Sequence, residues 1–168
     1  MRILGLKEEE FGQEMKINAI DTDIDGLVIV QLREIVDDRG AVLHMLRSDS
    51  RHFTHFGECY FSEVFTGAIK AWKKHSIQTQ NLVVPVGRIC LVVYDNRATS
   101  ITKGRLKVIE LGRPDAYQLV QIPPGLWYGF RCLSLTSALV ANCADYPHTI
   151  GESEVLDKYD SSIPYSWT

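Results

Sequence analysis

Lys73, Lys74 and His75 end the stretch Gly67-Ala68-Ile69-Lys70-Ala71-Trp72-Lys73-Lys74-His75, whose residue types suit proton transfer. Side chains alternate between the two faces of a strand. Ile69, Ala71, Lys73 and His75 would share one face, and Lys70, Trp72 and Lys74 the other. The first face begins apolar and ends in an amine and an imidazole. Burying both without partners is costly, and proteins accept that cost most often at sites of chemistry. His75 is the better generic base, because its unperturbed pKa lies near neutrality. Lys73 serves as a base only if burial lowers its pKa. Otherwise it stays charged and suits an anion. The same pattern also fits a strand end with Lys73, Lys74 and His75 simply in water.

Other candidates are spread along the chain. Arg39, Lys70 and Arg97 are cations able to bind an anion. Trp72 and Tyr60 have rings able to stack on a base or sugar. Tyr128 follows the rim-like Pro123-Pro124-Gly125 and is a candidate acid, whereas Trp127 and Phe130 read as core. His52 and His55 have a metal-like spacing, but Ser, Asp and Gly surround them and they read as surface histidines. Asp21, Asp23, Asp25 and Gly26 have the alternating acids of a calcium loop but no closing Glu, so they read as a polar lead-in. Cys59, Cys90, Cys132 and Cys143 form no C-x-x-C pair, which argues against both a zinc site and a disulfide framework. No metal is expected.

The elements that must position these groups read as short strands. Lys7 to Lys16 fits a short amphipathic helix with Phe11 and Met15 on one side. Strands are expected over Leu27 to Ile35, Ala41 to Leu46, Glu58 to Phe65, Ala68 to His75, Asn81 to Val86 and Arg88 to Asp95. They continue over Arg105 to Leu111, Tyr117 to Ile122, Trp127 to Phe130 and Ser137 to Asn142. Asp37-Asp38-Arg39-Gly40 is a turn. Thr66-Gly67 is expected to join its two flanking strands as a hairpin. The tail from Asp145 is turn-rich, with one helical turn near Ser153 to Lys158. Strands at a spacing of roughly 8–12 residues indicate a sandwich or small barrel, and no strand–helix alternation supports α/β.

The 168 residues and 45% hydrophobic content fit one domain with one core. A net charge of -3 argues against nucleic-acid binding. No stretch resembles a membrane span or the apolar region of a signal peptide. A cytoplasmic protein with reduced thiols is expected.

The motifs, taken in order, resemble the dTDP-4-dehydrorhamnose 3,5-epimerase family. They are Asp38-Arg39-Gly40, Gly67 to Lys73, Asn81-Leu82-Val83, and Tyr94-Asp95-Asn96-Arg97 with Ser100 and Gly104. Ile122 to Phe130 follows, and then Asp160 with Ile163 and Trp167. The resemblance runs from about Leu27 to Trp167. It implies an all-β, cupin-like jelly-roll barrel over 27–168, with residues 1–26 as an N-terminal extension packed outside it. It also implies a homodimer paired through edge strands.

The catalytic positions depart from the family pattern. Its Arg-Gly-Leu-His is Lys70-Ala71-Trp72-Lys73 here, so lysine holds the position of the base. Its acidic tyrosine falls on Ala141. Its Ala-His-Gly-Phe is Trp127-Tyr128-Gly129-Phe130, and a lysine before Leu82 is Asn81. Asp160 matches the aspartate that supports the base, and Arg39 and Glu152 match substrate contacts. A related branch carries Gly-Trp-His-x-His at the same place, which Trp72 and His75 resemble. The implied activity is epimerisation or isomerisation of a dTDP-linked 4-keto-6-deoxy sugar in surface-polysaccharide or deoxysugar biosynthesis, with Lys73, His75, Tyr128 and Asp160 catalytic. Arg39, Tyr60, Lys70, Trp72, Asn81 and Glu152 would then bind the nucleotide sugar. Such chemistry needs a base, a stabilised enolate and an acid, and no cofactor. The alternative is a non-catalytic nucleotide-sugar-binding barrel in the same pathway.

Overall fold

The computed structural model describes residues 19–20 and 22–167. Among them every regular element is a strand. The strands are β1 (Ala19–Ile20), β2 (Val28–Gln31), β3 (Glu34–Asp37), β4 (Gly40–Leu43), β5 (Glu58–Phe65), β6 (Ile69–His75) and β7 (Gln80–Val86). They continue with β8 (Arg88–Tyr94), β9 (Leu106–Gly112), β10 (Gln118–Ile122), β11 (Trp127–Cys132), β12 (Ser137–Ala144) and β13 (Ser153–Val155). A six-stranded sheet runs β1-β2-β10-β7-β12-β5, and a five-stranded sheet runs β13-β6-β11-β8-β9. Neighbouring strands in both sheets are antiparallel. The two sheets face each other as a cupin-like jelly roll, with β3 and β4 forming a separate hairpin.

Strand alternation explains three apolar layers. Leu82, Val84, Ile89, Leu91, Val93, Val120 and Val140 point between the sheets and make the main core. Their neighbours point outward but are also covered. Cys90, Val92 and Trp127 lie under the tail residues Ile163 and Trp167. Val30, Val83 and Leu119 lie with Tyr117 under Leu43, Met45 and Leu46. This double covering is why β7 and β8 read as nearly continuous apolar runs.

The Tyr94-Asp95-Asn96-Arg97 motif proves to be a clamp on the loop between β8 and β9. The Asp95 carboxylate is fully buried. It accepts hydrogen bonds from Arg97 Nε at 3.0 Å, Arg97 Nη2 at 2.9 Å, Ser100 Oγ at 2.6 Å and Thr102 Oγ1 at 2.7 Å. Burial alone would raise its pKa, but the Arg97 guanidinium and the two hydroxyls hold it far below the usual carboxylate range. Arg97 is thereby committed to Asp95 and to the Asp25 carbonyl, and is not free for a diphosphate.

Several elements differ from the sequence expectation. The expected strand from Leu27 to Ile35 divides into β2 and β3. At Leu32 the chain leaves the sheet, its amide bonding to the Tyr117 carbonyl and its side chain packing on the outer layer. Residues 66–67 do not close a hairpin: β5 pairs with β12, while β6 pairs with β11 and β13. The turn instead carries the chain from one sheet to the other, with Gly67 at φ 71°. The expected helical turn after Ser153 is β13, drawn onto the free edge of β6. Ahead of Leu27, β1 pairs with β2, and Ile24 is buried in the main core. The expected helix at Lys7 to Lys16 and the acidic residue Asp21 lie outside the described residues.

Candidate active site

Between the two sheets lies a cavity of about 300 Å³, open to solvent on one side, within the range of small-ligand sites. Tyr60 and Ser62 of β5, Leu82 of β7, and Val140 and Asn142 of β12 line it from the six-stranded sheet. Lys70 and Lys73 of β6 and Tyr128 and Phe130 of β11 line it from the other.

A β-bulge makes the lysine arrangement. Lys70 pairs with Phe130 and Lys73 with Tyr128, so Ala71 and Trp72 together stand opposite Gly129. The extra residue resets the alternation. Lys70 and Lys73 both face the cavity, whereas Ile69 and Trp72 join the outer layer under the tail. The expected grouping of Ile69 with Lys73 and of Lys70 with Trp72 is therefore corrected. Gly129 permits the bulge, since a Cβ there would fall on that of Ala71. Lys70 Nζ donates to Ser62 Oγ at 2.7 Å, crossing from one sheet to the other. Lys74 points outward, 4.8 Å from the centre of the Trp127 ring and 2.9 Å from Glu154.

Behind the cavity wall lies a buried chain of three polar groups. Glu152 Oε1 is 2.5 Å from His75 Nδ1, and His75 Nε2 is 3.2 Å from the Tyr128 hydroxyl. His75, Tyr128 and Glu152 are 3%, 6% and 6% exposed, so the chain is screened from water. The carboxylate fixes the tautomer: Nδ1–H donates to Glu152 and Nε2 accepts from Tyr128. Burial pushes the His75 pKa below its ordinary value and outweighs the opposing Glu152 hydrogen bond, with positive Lys73 adding to the depression. The imidazole is thus neutral, with its basic Nε2 lone pair turned to the Tyr128 hydroxyl. Burial also raises the Tyr128 phenol, which keeps its proton. β13 places Glu152 by pairing Ser153 with His75, and Ser76 locks the turn by donating from N and Oγ to the Glu152 carbonyl at 2.8 and 2.7 Å.

The cavity unites Lys70, Lys73, Tyr60 and Tyr128, with His75 and Glu152 one and two steps behind Tyr128. It leaves out the others. Glu152 is expected at the substrate, but it holds His75 instead. Asp160, expected to support the base, binds the Ser162 amide and hydroxyl in the tail turn at 2.9 and 2.5 Å. Arg39 sits on the β3–β4 turn, paired with Asp37 at 2.6 Å and 70% exposed, away from the cavity lining. Asn81 shares a strand with cavity-lining Leu82 but points to the other face, where it bonds to Gln121 and the Cys143 carbonyl. Trp72 touches the cavity wall, but its ring is 1% exposed and packs 4.9 Å from that of Trp167, so it offers no face for stacking.

Sequence reading missed Ser62, Asn142 and Gln80. Asn142 donates to the Tyr60 hydroxyl at 2.8 Å and to Gln80 Oε1 at 2.5 Å. A signal for it existed: in the strand from Ser137, Asn142 shares the face of apolar Ala138 and Val140. Among the described residues no group of three or more His, Cys, Asp or Glu side chains gathers as a metal site would require. No helix there is long and apolar enough to cross a membrane.

A jelly roll enclosing a cavity with lysines, tyrosines and a buried His–Glu pair defines a cupin-like barrel equipped for proton transfer. The sequence model for dTDP-4-dehydrorhamnose 3,5-epimerase matches residues 21–168. The chain belongs to that family, and so to the isomerase class of sugar-biosynthetic enzymes. It is 36% identical over 146 residues to the spore coat polysaccharide biosynthesis protein SpsL of Bacillus subtilis, covering 86% of this chain and 96% of the relative. It is 31% identical over 141 residues to the probable low-salt glycan biosynthesis epimerase Agl13 of Haloferax volcanii, covering 81% and 86%. Among solved structures, a dTDP sugar isomerase from Desulfovibrio desulfuricans G20 superposes with a TM-score of 0.87 at 52% identity, covering 89% of this chain and 95% of that one. The fold is shared with the Bacillus anthracis dTDP-4-dehydrorhamnose 3,5-epimerase, at a TM-score of 0.79 and 21% identity over 90% of each chain.

Proposed function

We propose that this protein epimerises or isomerises a dTDP-linked 4-keto-6-deoxy sugar, in surface-polysaccharide or deoxysugar biosynthesis, by moving a proton beside the carbonyl. The observation that carries this reading is the Tyr128–His75–Glu152 chain ending at the cavity wall. As the C–H bond breaks, the Tyr128 oxygen takes the substrate proton and passes its own to His75 Nε2. Glu152 stabilises the imidazolium that forms. Lys73, one strand over, faces the negative oxygen of the enolate, and its partial burial between the sheets strengthens that attraction. Lys70 lines the same cavity and supplies a cation for the diphosphate. No step requires a metal or redox cofactor.

The experiment is proton–deuterium exchange into a panel of dTDP-4-keto sugars in D2O, followed by NMR. Exchange next to the carbonyl is expected with at least one sugar. Tight dTDP-sugar binding without any exchange would establish the non-catalytic barrel instead.

The assembly that fits is a homodimer. β5 is the outermost strand of its sheet, and Phe61 and Phe65 on it are 65% and 67% exposed. Pairing of such an edge protects it. Light scattering should give twice 19.0 kDa, and a monomer mass would refute the pairing. The cytoplasm, where such nucleotide-linked sugars are made, is the compartment this reading requires.

A further inference from the structure

Inversion at a carbon requires a proton to leave one face and another to arrive at the opposite face. The Tyr128 chain serves one face only. Tyr60 enters the same cavity from the other sheet. A flat enolate lying parallel to the sheets would turn one face to the sheet of Tyr60 and the other to the sheet of Tyr128.

The hydroxyl of Tyr60 is held in place at some expense. Asn142 Nδ2 donates to the phenol oxygen at 2.8 Å, while Asn142 Oδ1 is fixed by the Asn81 amide at 3.1 Å. Behind Asn142, Gln80 Nε2 donates to Gln78 Oε1 at 3.0 Å, and Gln78 Nε2 to the Tyr146 carbonyl at 2.8 Å. Asn142, Gln80 and Gln78 are 2%, 1% and 1% exposed. Three buried amides in series make an unusual core, since each must be fully paired to be tolerated. Their free end is the Tyr60 oxygen. That oxygen accepts from Asn142 at 2.8 Å and donates over a long 3.5 Å to Gln80 Oε1. The phenolic proton is therefore weakly held, on a residue that lines the cavity.

We propose that Tyr60 is the catalytic acid, delivering its proton to the enolate face opposite Tyr128, with Asn142 as its positioning residue. The assignment rests on the isomerase reading above. The Tyr60 O–H bond breaks as a C–H bond forms on the second face and the enolate returns to the ketone. The Tyr60 phenolate then takes a proton from water, and the His75 imidazolium releases its proton to water through the Tyr128 hydroxyl. No net proton or electron is gained.

The test separates exchange from inversion at the same carbon in D2O, using dTDP-4-keto sugars that the parent protein turns over. Tyr60→Phe should slow inversion by about 10²-fold or more, while exchange falls by less than about tenfold, because Tyr128 still removes and returns the proton on its own face. Placing 3-fluorotyrosine at position 60 keeps the contacts and lowers the phenol pKa. It should move the basic limb of the inversion profile to lower pH and leave that of exchange in place. Parental inversion in Tyr60→Phe, or equal loss of exchange and inversion, overturns the assignment. So does a parent that exchanges but inverts no sugar, which leaves the isomerase reading standing. A parent without exchange on any sugar overturns both.

Discussion

At the scale of single residues, the proposed mechanism sets the base one step back from the cavity, behind Tyr128. Lys73 lines the cavity, and the His75 imidazole lies behind the Tyr128 hydroxyl. The His75 pKa lies below its ordinary value because burial outweighs the Glu152 contact. Exchange should therefore fall with an acid limb below about pH 6.5, where the imidazole becomes protonated. His75→Ala should lower exchange by roughly 10²–10⁴-fold. Glu152→Gln removes a charge that favours the imidazolium. The acid limb should then move to still lower pH and the plateau rate should drop. A limb that moves upward, or a plateau at the parental rate, would show that Glu152 does not act through His75.

At the scale of elements, the site depends on one bulge, and Gly129 makes room for it. In Gly129→Ala the new Cβ would overlap that of Ala71 and lie 3.1 Å from Trp167 Cζ2. Overpacking of this kind costs about 1–3 kcal/mol. The expected result is a Tm lower by several degrees and exchange slowed at least tenfold at temperatures where the protein is folded, since Lys73 and His75 move with the bulge. Adding Ala71→Gly should restore part of both. Independent, additive effects in the double variant would mean that the two residues do not share the constraint. The strands themselves were readable: the expected bounds of β5 are the observed ones, and most others lie within a residue or two. The bulge was not, because its cause sits on the neighbouring strand. Nor was the His75–Glu152 contact, whose partners are 77 residues apart in the chain. Thr66-Gly67 announced a reversal of the chain, but nothing local says which sheet the next strand joins. Asp160 was misplaced by motif position, since spacing along a turn-rich tail does not fix where a carboxylate points.

At the scale of the whole molecule, two buried groups tie stability to pH in separate windows. His75 is held neutral, with its folded pKa below the unfolded value of about 6.5. Above that pH it is neutral in both states and adds no pH dependence. Below it the unfolded chain takes up the proton first, so stability declines as pH falls toward the folded value. Asp95 has its folded pKa depressed far below 3.8. The stability it contributes is complete above that value and is lost as pH falls beneath it. Calorimetric melts across pH should show a gentle decline in Tm below about 6.5 and a steeper one in the range where ordinary carboxylates titrate. His75→Gln should remove the upper decline and keep the lower. Asp95→Asn should blunt the lower one and cost about 3–5 kcal/mol at neutral pH, because it leaves the Arg97 guanidinium without its buried counter-charge. An Asp95→Asn variant as stable as the parent at pH 7 would mean that the loop between β8 and β9 is held by packing, with the clamp contributing little. An upper decline that survives in His75→Gln would place its cause in another histidine.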